Sequence, residues 1–281
     1  MKQFAWREIS LNIPDDWEPL AIGGHDKNGY VSLGAGLKIG LELKWNYSKF
    51  NVSVGKILNK FLHSIEKKAK QKKEIFKFSK DIDLKSKLLS FEWKTNNVVA
   101  TGIIWHCDLC KRVVLCQLLN QDSNLTKEIL SSLKCHDNEK RFWSIYNLSF
   151  SLPILWKLES YIFKSGYLKF VFVNGLKVIK IERWGLANNL LADISLEKWL
   201  SIFYKERFKE NVSVSKINLQ NHDGLKVIFT NKRKLFNLKK VIMLCFVWLC
   251  PESNRIFVVS ESSNINNDEE LLNIIKSIKC H

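Results

Sequence analysis

Apolar and polar residues alternate with a period of two from Ile9 to Ile13, putting Ile9, Leu11 and Ile13 on one side before Pro14 stops the run. The same period returns over residues 36–45, where Leu37, Ile39, Leu41, Leu43 and Trp45 share a side. Alternation of this kind belongs to a strand with one buried face, so both segments are predicted as strands. Past Ser53 the period changes. Ile57, Leu58, Phe61, Leu62 and Ile65 stand three and four apart, which predicts an amphipathic helix with Ser53 as its N-cap. Three extended runs follow, over 87–95, 98–107 and 112–119, with short polar connections that suit antiparallel hairpins. A short helix over 125–133 closes the pattern.

The pattern then starts again. ISLNIPDDW, from Ile9, returns at an offset of 139 as LSFSLPILW, and GLKIGLELKW returns at the same offset as GLKVIKIERW. Trp105, Cys107 and Arg112 recur at an offset of 143 as Trp248, Cys250 and Arg255. Leu133, Lys134, Cys135 and His136 recur at 145 as Ile278, Lys279, Cys280 and His281. Ser195 with Leu196, Trp199, Leu200 and Phe203 repeats the capped helix, and runs over 225–230, 241–250 and 255–260 repeat the strands. A last helix is predicted over 270–278, with Asp268, Glu269 and Glu270 where a helix N-terminus favours acids. An offset that grows by small steps is what loop insertions leave in a tandem duplication, with domains 1–137 and 138–281. Each copy is predicted as an α+β domain, a twisted antiparallel sheet covered by helices. The short connection over 136–141 predicts two domains packed with pseudo-twofold symmetry and a groove between them.

A first strand ending in Pro and then Trp (Pro14 with Trp17, Pro153 with Trp156), a middle helix, a meander of strands and a closing helix of the form I-L-x-S-[LI] together resemble the PsbP-like and DcrB-like superfamily. The resemblance covers nearly the whole chain, twice. It implies an α/β/α sandwich used as a non-catalytic binding or assembly module, and it brings no catalytic residue with it.

Composition narrows the class. With 46% hydrophobic and 26% charged residues the chain reads as globular. Its N-terminus has no continuous apolar segment of the secretory kind, and the longest apolar run, 241–250, is too short to cross a bilayer as a helix. A soluble, cytoplasmic protein is expected. The net charge of +16 is spread as +7 over residues 1–140 and +9 over 141–281, so it is no basic tail. Such a field favours a protein partner or an acidic macromolecule, with nucleic acid as the alternative.

Two basic clusters are the candidates for phosphate contact. Lys67, Lys68, Lys70, Lys72 and Lys73 sit at the end of the first helix, and Lys232, Arg233, Lys234, Lys239 and Lys240 crowd a loop of the second copy around Phe236. Arg112 and Arg255 have two readings: a guanidinium offered to an anion, or one stacked on Trp105 or Trp248.

The cysteines hold the sharpest constellation. Cys107 with Cys135 and His136 is matched by Cys250 with Cys280 and His281, placing a strand end beside the end of the closing helix in each copy. Three readings stay open: buried small hydrophobes, a disulfide joining Cys107 to Cys135 and Cys250 to Cys280, or a metal held by Cys107, Cys110, Cys135 and His136. The second copy weighs against metal, since Ser253 stands where the first has Cys110. No shared acid–base pair, phosphate loop, dinucleotide fingerprint or nucleophile elbow occurs, so no catalytic residue and no cofactor is expected. The expectation is a non-enzymatic macromolecular binding or assembly protein. The rival is a nucleic-acid-binding protein using the two basic clusters.

Overall fold

The computed structural model describes residues 1–49, 53–83, 88–136, 140–204, 211–230, 242–263 and 268–280. The chain divides into two units, Met1–Asp137 with Phe142–Asn147, and Asn138–Arg141 with Leu148–His281.

In the first unit, β1 (Lys2–Trp6) and β2 (Ile9–Ile13) form a hairpin closed by Arg7 and Glu8, at φ 49° and 70°. Two successive left-handed residues give a turn whose twist matches the paired strands, and Asn-Gly or Asp-Gly usually fill it because a bulkier side chain is strained there. Along the other edge of β1, Ser144 of β10 (Lys140–Ile145) lies opposite Ala5, and Trp143 meets Trp6 edge to face at 5.4 Å.

The main sheet of this unit comprises β3 (Glu18–Gly24), β4 (Asn28–Ala35), β5 (Lys38–Tyr47), β6 (Lys77–Asp83), β7 (Leu88–Lys94), β8 (Val99–His106) and β9 (Arg112–Leu119). Its order is β3-β4-β5-β9-β8-β7-β6, antiparallel throughout. Helix α1 (Val54–Gln71) makes the crossover from β5, starting where the Ser53 hydroxyl accepts the Lys56 amide proton. Its buried Leu58 and Leu62 pack with Leu89, Phe91 and Ile104, each contributing roughly 2 kcal/mol of hydrophobic stabilisation. Asp122 caps α2 (Ser123–Ser132) by accepting from the Asn124 and Leu125 amides. After α2 the chain is pinned to β2: Ser10 and Lys134 exchange both backbone hydrogen bonds, at 2.9 and 2.8 Å, and the Ser132 hydroxyl accepts from the Asn12 amide.

The second unit has β11 (Leu148–Pro153), β12 (Lys157–Lys164), β13 (Tyr167–Asn174) and β14 (Lys177–Gly185), then the helices α3 (Ala187–Leu190) and α4 (Leu196–Phe203). These are followed by β15 (Asn211–Leu219), β16 (His222–Thr230), β17 (Ile242–Cys250), β18 (Arg255–Ser263) and α5 (Asp268–Ser277). The sheet order is β12-β13-β14-β18-β17-β16-β15, the order of the first unit. Trp199 and Leu200 of α4 pack with Val227, Phe229, Cys245 and Val247. The end of α5 is pinned as α2 is, with Lys279 donating to Ser149 at 3.0 Å and Ser277 accepting from Ser151 at 2.9 Å.

This architecture corrects the expected α+β sandwich. Strands take up 56% of the structure and helices 20%, so the fold is mainly β and its helices are too few and short to cover the sheets as layers. The excess comes from strands that the alternation does not reveal. In β3 and β4 the pattern is broken by Gly23, Gly24, Gly29 and Gly34 and by bulges at Pro19/Ala21 and Leu33/Gly34. The sequence of β6, KFSKDID, is polar because it closes one end of the sheet order and pairs on one side alone. No helix among the described residues is long and apolar enough to cross a membrane.

Candidate metal centres

The first centre is built by two local devices. Between β8 and β9 the loop folds back on itself: the Cys107 amide donates to Arg112 O at 2.8 Å and the Lys111 amide to Cys107 O at 2.9 Å, with Lys111 left-handed at φ 56°. That curl returns Cys110 to the side of Cys107. From the other direction, the Ser10–Lys134 bridge delivers the two residues that follow it, Cys135 and His136. His136 Nδ1 lies 3.4 Å from Cys107 Sγ and 3.2 Å from Cys135 Sγ, and Cys110 Sγ lies 3.9 Å from Cys135 Sγ. All four donor atoms fall within 4.8 Å of one another.

These spacings have a chemical meaning. Donors at the bond lengths of tetrahedral zinc stand about 3.8 Å apart for two sulfurs and about 3.5 Å apart for sulfur and nitrogen. The observed 3.9, 3.4 and 3.2 Å match such a tetrahedron, and the 3.9 Å between the Cys110 and Cys135 sulfurs is far longer than a disulfide bond. Soft thiolates with one imidazole select zinc-class ions over magnesium or calcium.

Electrostatics favours the thiolate at one of these cysteines. The neighbouring Cys135 thiol, then the Arg112 amide, Cys107 and the Arg112 charge, draw Cys110 down to about 5 against the opposing effect of burial. Cys135 is pushed up by its hydrogen bond to Cys110 and by burial. Arg112 itself, one candidate for anion contact, is buried and points inward. Its Nη1 donates to Arg7 O at 2.7 Å, and its Nη2 lies 3.5 Å from Glu8 Oε2. The cation–π contact formed here is Arg7 over Trp6, at 5.6 Å.

The second unit brings together His222, Cys250 and Cys280, all buried and again within 4.8 Å. Gln220 and Asn221, left-handed at φ 53° and 65°, turn β15 into β16 and make His222 the first residue of that strand, opposite Leu219. Gln220 Nε2 donates to the carbonyls of Ile275 and Ile278 at 2.5 and 2.7 Å, holding the end of α5 against this turn. Cys280 Sγ then lies 3.4 Å from His222 Nε2 and 3.5 Å from Gln220 Oε1. Glu252 Oε2 sits 3.4 Å from Cys250 Sγ and 3.9 Å from His222 Nδ1. Burial and the nearby Cys250 push Cys280 up to about 11.

All seven cysteines are free thiols. The cysteine pairs singled out by the repeat, Cys107 with Cys135 and Cys250 with Cys280, do converge, and Cys110 and His136 join the first pair. His222 is the candidate donor that sequence reasoning passed over, because no histidine matches it in the first copy; the tight Gln220-Asn221 turn before it was the available clue.

The basic candidates divide. Lys67, Lys68, Lys70, Lys72 and Lys73 are exposed at the end of α1, with Lys70 paired to Glu66 at 2.8 Å. Lys232, Arg233, Lys234, Lys239, Lys240 and His281 lie outside the described residues. Arg255, half-buried, stands opposite Cys250 and Gly185 in the sheet. One shared surface feature was not anticipated. Leu37 and Leu176, at the same place in the repeated Gly-Leu-Lys turn, are 99% and 86% exposed.

No protein-family model matches this sequence, and no curated protein matches it.

Proposed function

We propose that this is a non-enzymatic protein-binding or assembly protein whose first unit is clasped by a structural zinc ion at Cys107, Cys110, Cys135 and His136. The observation that carries the binding role is the pair of leucines at the Gly36-Leu37 and Gly175-Leu176 turns, exposed in both units where neither serves a core. Each glycine takes the left-handed conformation of its turn, at φ 57° and 58°, so the leucine is not needed for the bend. An apolar side chain held out on a hairpin turn suits a partner with an apolar pocket; of the lysines that follow, Lys177 is already paired to Glu270 at 3.2 Å. The clasp agrees with a non-catalytic role. Four protein donors fill a tetrahedron and leave substrate no coordination position, which is the mark of a structural site.

The test is nuclease-treated affinity capture from native cells, comparing the wild type with the double variant Leu37→Ser, Leu176→Ser. A protein retained by the wild type and lost from a folded variant supports the reading. Equal capture by both removes the turns from it.

A second reading, binding of nucleic-acid phosphate, has its own observation. Lys67, Lys68, Lys72 and Lys73 are exposed at the end of α1, and Phe78, 52% exposed, follows in β6. Affinity for single-stranded RNA or DNA that falls steeply with salt and weakens when these lysines are neutralised is its signature; absence of binding at low salt sinks it.

A further inference from the structure

The two thiol–imidazole centres differ in their donors, and we infer that the second, His222 with Cys250 and Cys280, is a site for a zinc-class divalent ion, held by fewer donors among the described residues than the first and more readily exchanged. The inference rests on reading the first centre as a zinc clasp, since both use the cysteine of the hairpin and the cysteine that follows the last helix.

Three observations carry it. Cys250 and Cys280 occupy the positions of Cys107 and Cys135 in the repeat, but the imidazole comes from a different element. His222 opens β16, 58 residues before Cys280, whereas His136 adjoins Cys135. Duplication alone does not account for a second ring reaching the same sulfur pair from a new direction. Then there is the orientation of that ring. Nε2 faces Cys280 Sγ at 3.4 Å while Nδ1 faces Glu252 Oε2 at 3.9 Å. At 3.9 Å the Glu252 carboxylate is too far to hydrogen-bond Nδ1, but its charge faces that nitrogen while Nε2 is the one turned toward the thiols. Finally, Ser253 replaces Cys110, so three donors converge among the described residues instead of four.

The consequence is kinetic. A closed Cys3His shell gives an incoming chelator no vacant position, whereas a Cys2His shell with bound water exchanges that water for the chelator and then loses the ion. Binding releases the two thiol protons to solvent and forms two sulfur–metal bonds, with no oxidant involved.

The experiment uses the full chain loaded with zinc, its metal content measured, followed by transfer of zinc to an excess of a chromogenic chelator. Two zinc ions per chain are expected, leaving in two phases separated by about tenfold or more in rate. His222→Ala removes the fast phase alone. Glu252→Ala, at an exposed side chain, removes the negative charge that faces His222 and Cys250 and accelerates that phase several-fold. With cobalt in place of zinc, azide shifts the visible bands of the fast site and leaves those of the slow site unchanged. If His222→Ala does not fold, Glu252→Ala and the azide response decide the question. One tightly held zinc per chain, lost on Cys110→Ser, overturns the second site and leaves the first standing. Two zincs leaving together, indifferent to Glu252→Ala and azide, overturn the exchangeable character alone, and absence of zinc overturns both centres.

Discussion

Arg112 donates from Nη1 to the carbonyl oxygen of Arg7 at 2.7 Å, joining the start of β9 to the turn of the β1–β2 hairpin. The same guanidinium lies 3.5 Å from Glu8 and lowers the Cys110 thiol toward its anion. One side chain therefore supports a turn in which Arg7 and Glu8 are both left-handed, and meets the charge of the Cys110 loop. The strain of that turn, at non-glycine residues, is offset by hydrogen bonds from a distant strand.

Arg112→Met should cost about 3 kcal/mol, since it removes the donor to the Arg7 carbonyl and the positive charge beside Glu8 from a buried place. Arg112→Lys should not restore the loss, because one ammonium cannot span a carbonyl and a carboxylate as the planar fork does. Urea denaturation reads this as a lower midpoint at unchanged slope. A lysine variant as stable as the wild type would show that charge alone suffices.

Removing metal should destabilise the fold. An ion present at about 100 times its dissociation constant adds about 2.7 kcal/mol to the native state, so a strong chelator should lower the thermal midpoint by several degrees. Zinc, but not magnesium, should reverse the drop. Cys110→Ser, which copies the Ser253 of the second unit, should reproduce most of the effect without chelator.

A buried polar chain runs from Trp93 Nε1 to Gln117 Oε1 at 3.0 Å, and from Gln117 Nε2 to Glu42 Oε2 at 2.7 Å. Gln117→Leu keeps the volume but leaves the indole proton and the carboxylate without this partner, at a cost of about 2 kcal/mol. Gln117→Glu should be worse, since it sets a second carboxylate against Glu42. Chemical denaturation of both variants orders them. Equal stability of all three proteins would remove the chain from the account of the core.

Stability should fall on the alkaline side. Burial pushes Cys116 up to about 12, and burial together with the Glu182 carboxylate raises Tyr167 and Tyr204, whose hydroxyls donate to Glu182 at 2.6 and 2.8 Å. These folded-state values lie above the unfolded ones, so the contribution is complete below about pH 8.5 for the thiol and about pH 10 for the phenols, and is lost as pH rises beyond them. Following tyrosinate absorbance and circular dichroism together checks this. Tyr167 and Tyr204 should ionise only as the fold is lost.

The repeated segments were legible because residue type at fixed spacing is a local property. Ser53 and Ser195 do cap α1 and α4, and the alternation in Ile9–Ile13 and around Leu41, Leu43 and Trp45 does mark strands with those residues buried. Other strands went unread for local reasons too. Bulges and glycines break the rhythm of β3 and β4, and β6 has a polar sequence. In β13, Leu168, Phe170 and Phe172 alternate plainly and are all buried, so that strand was available to the same reasoning.

By itself the amino-acid order determined the β2 strand, the buried stretch of β5, the caps of α1 and α4 and which cysteines recur, because each of these follows from side chains a few positions apart. What only the tertiary structure decided is who meets whom. Arg112 finds Arg7 across 105 residues, and His222 finds Cys280 across 58. Such meetings depend on sheet order and strand register, which are set by the summed packing of all the strands and leave no mark in the spacing of any one of them.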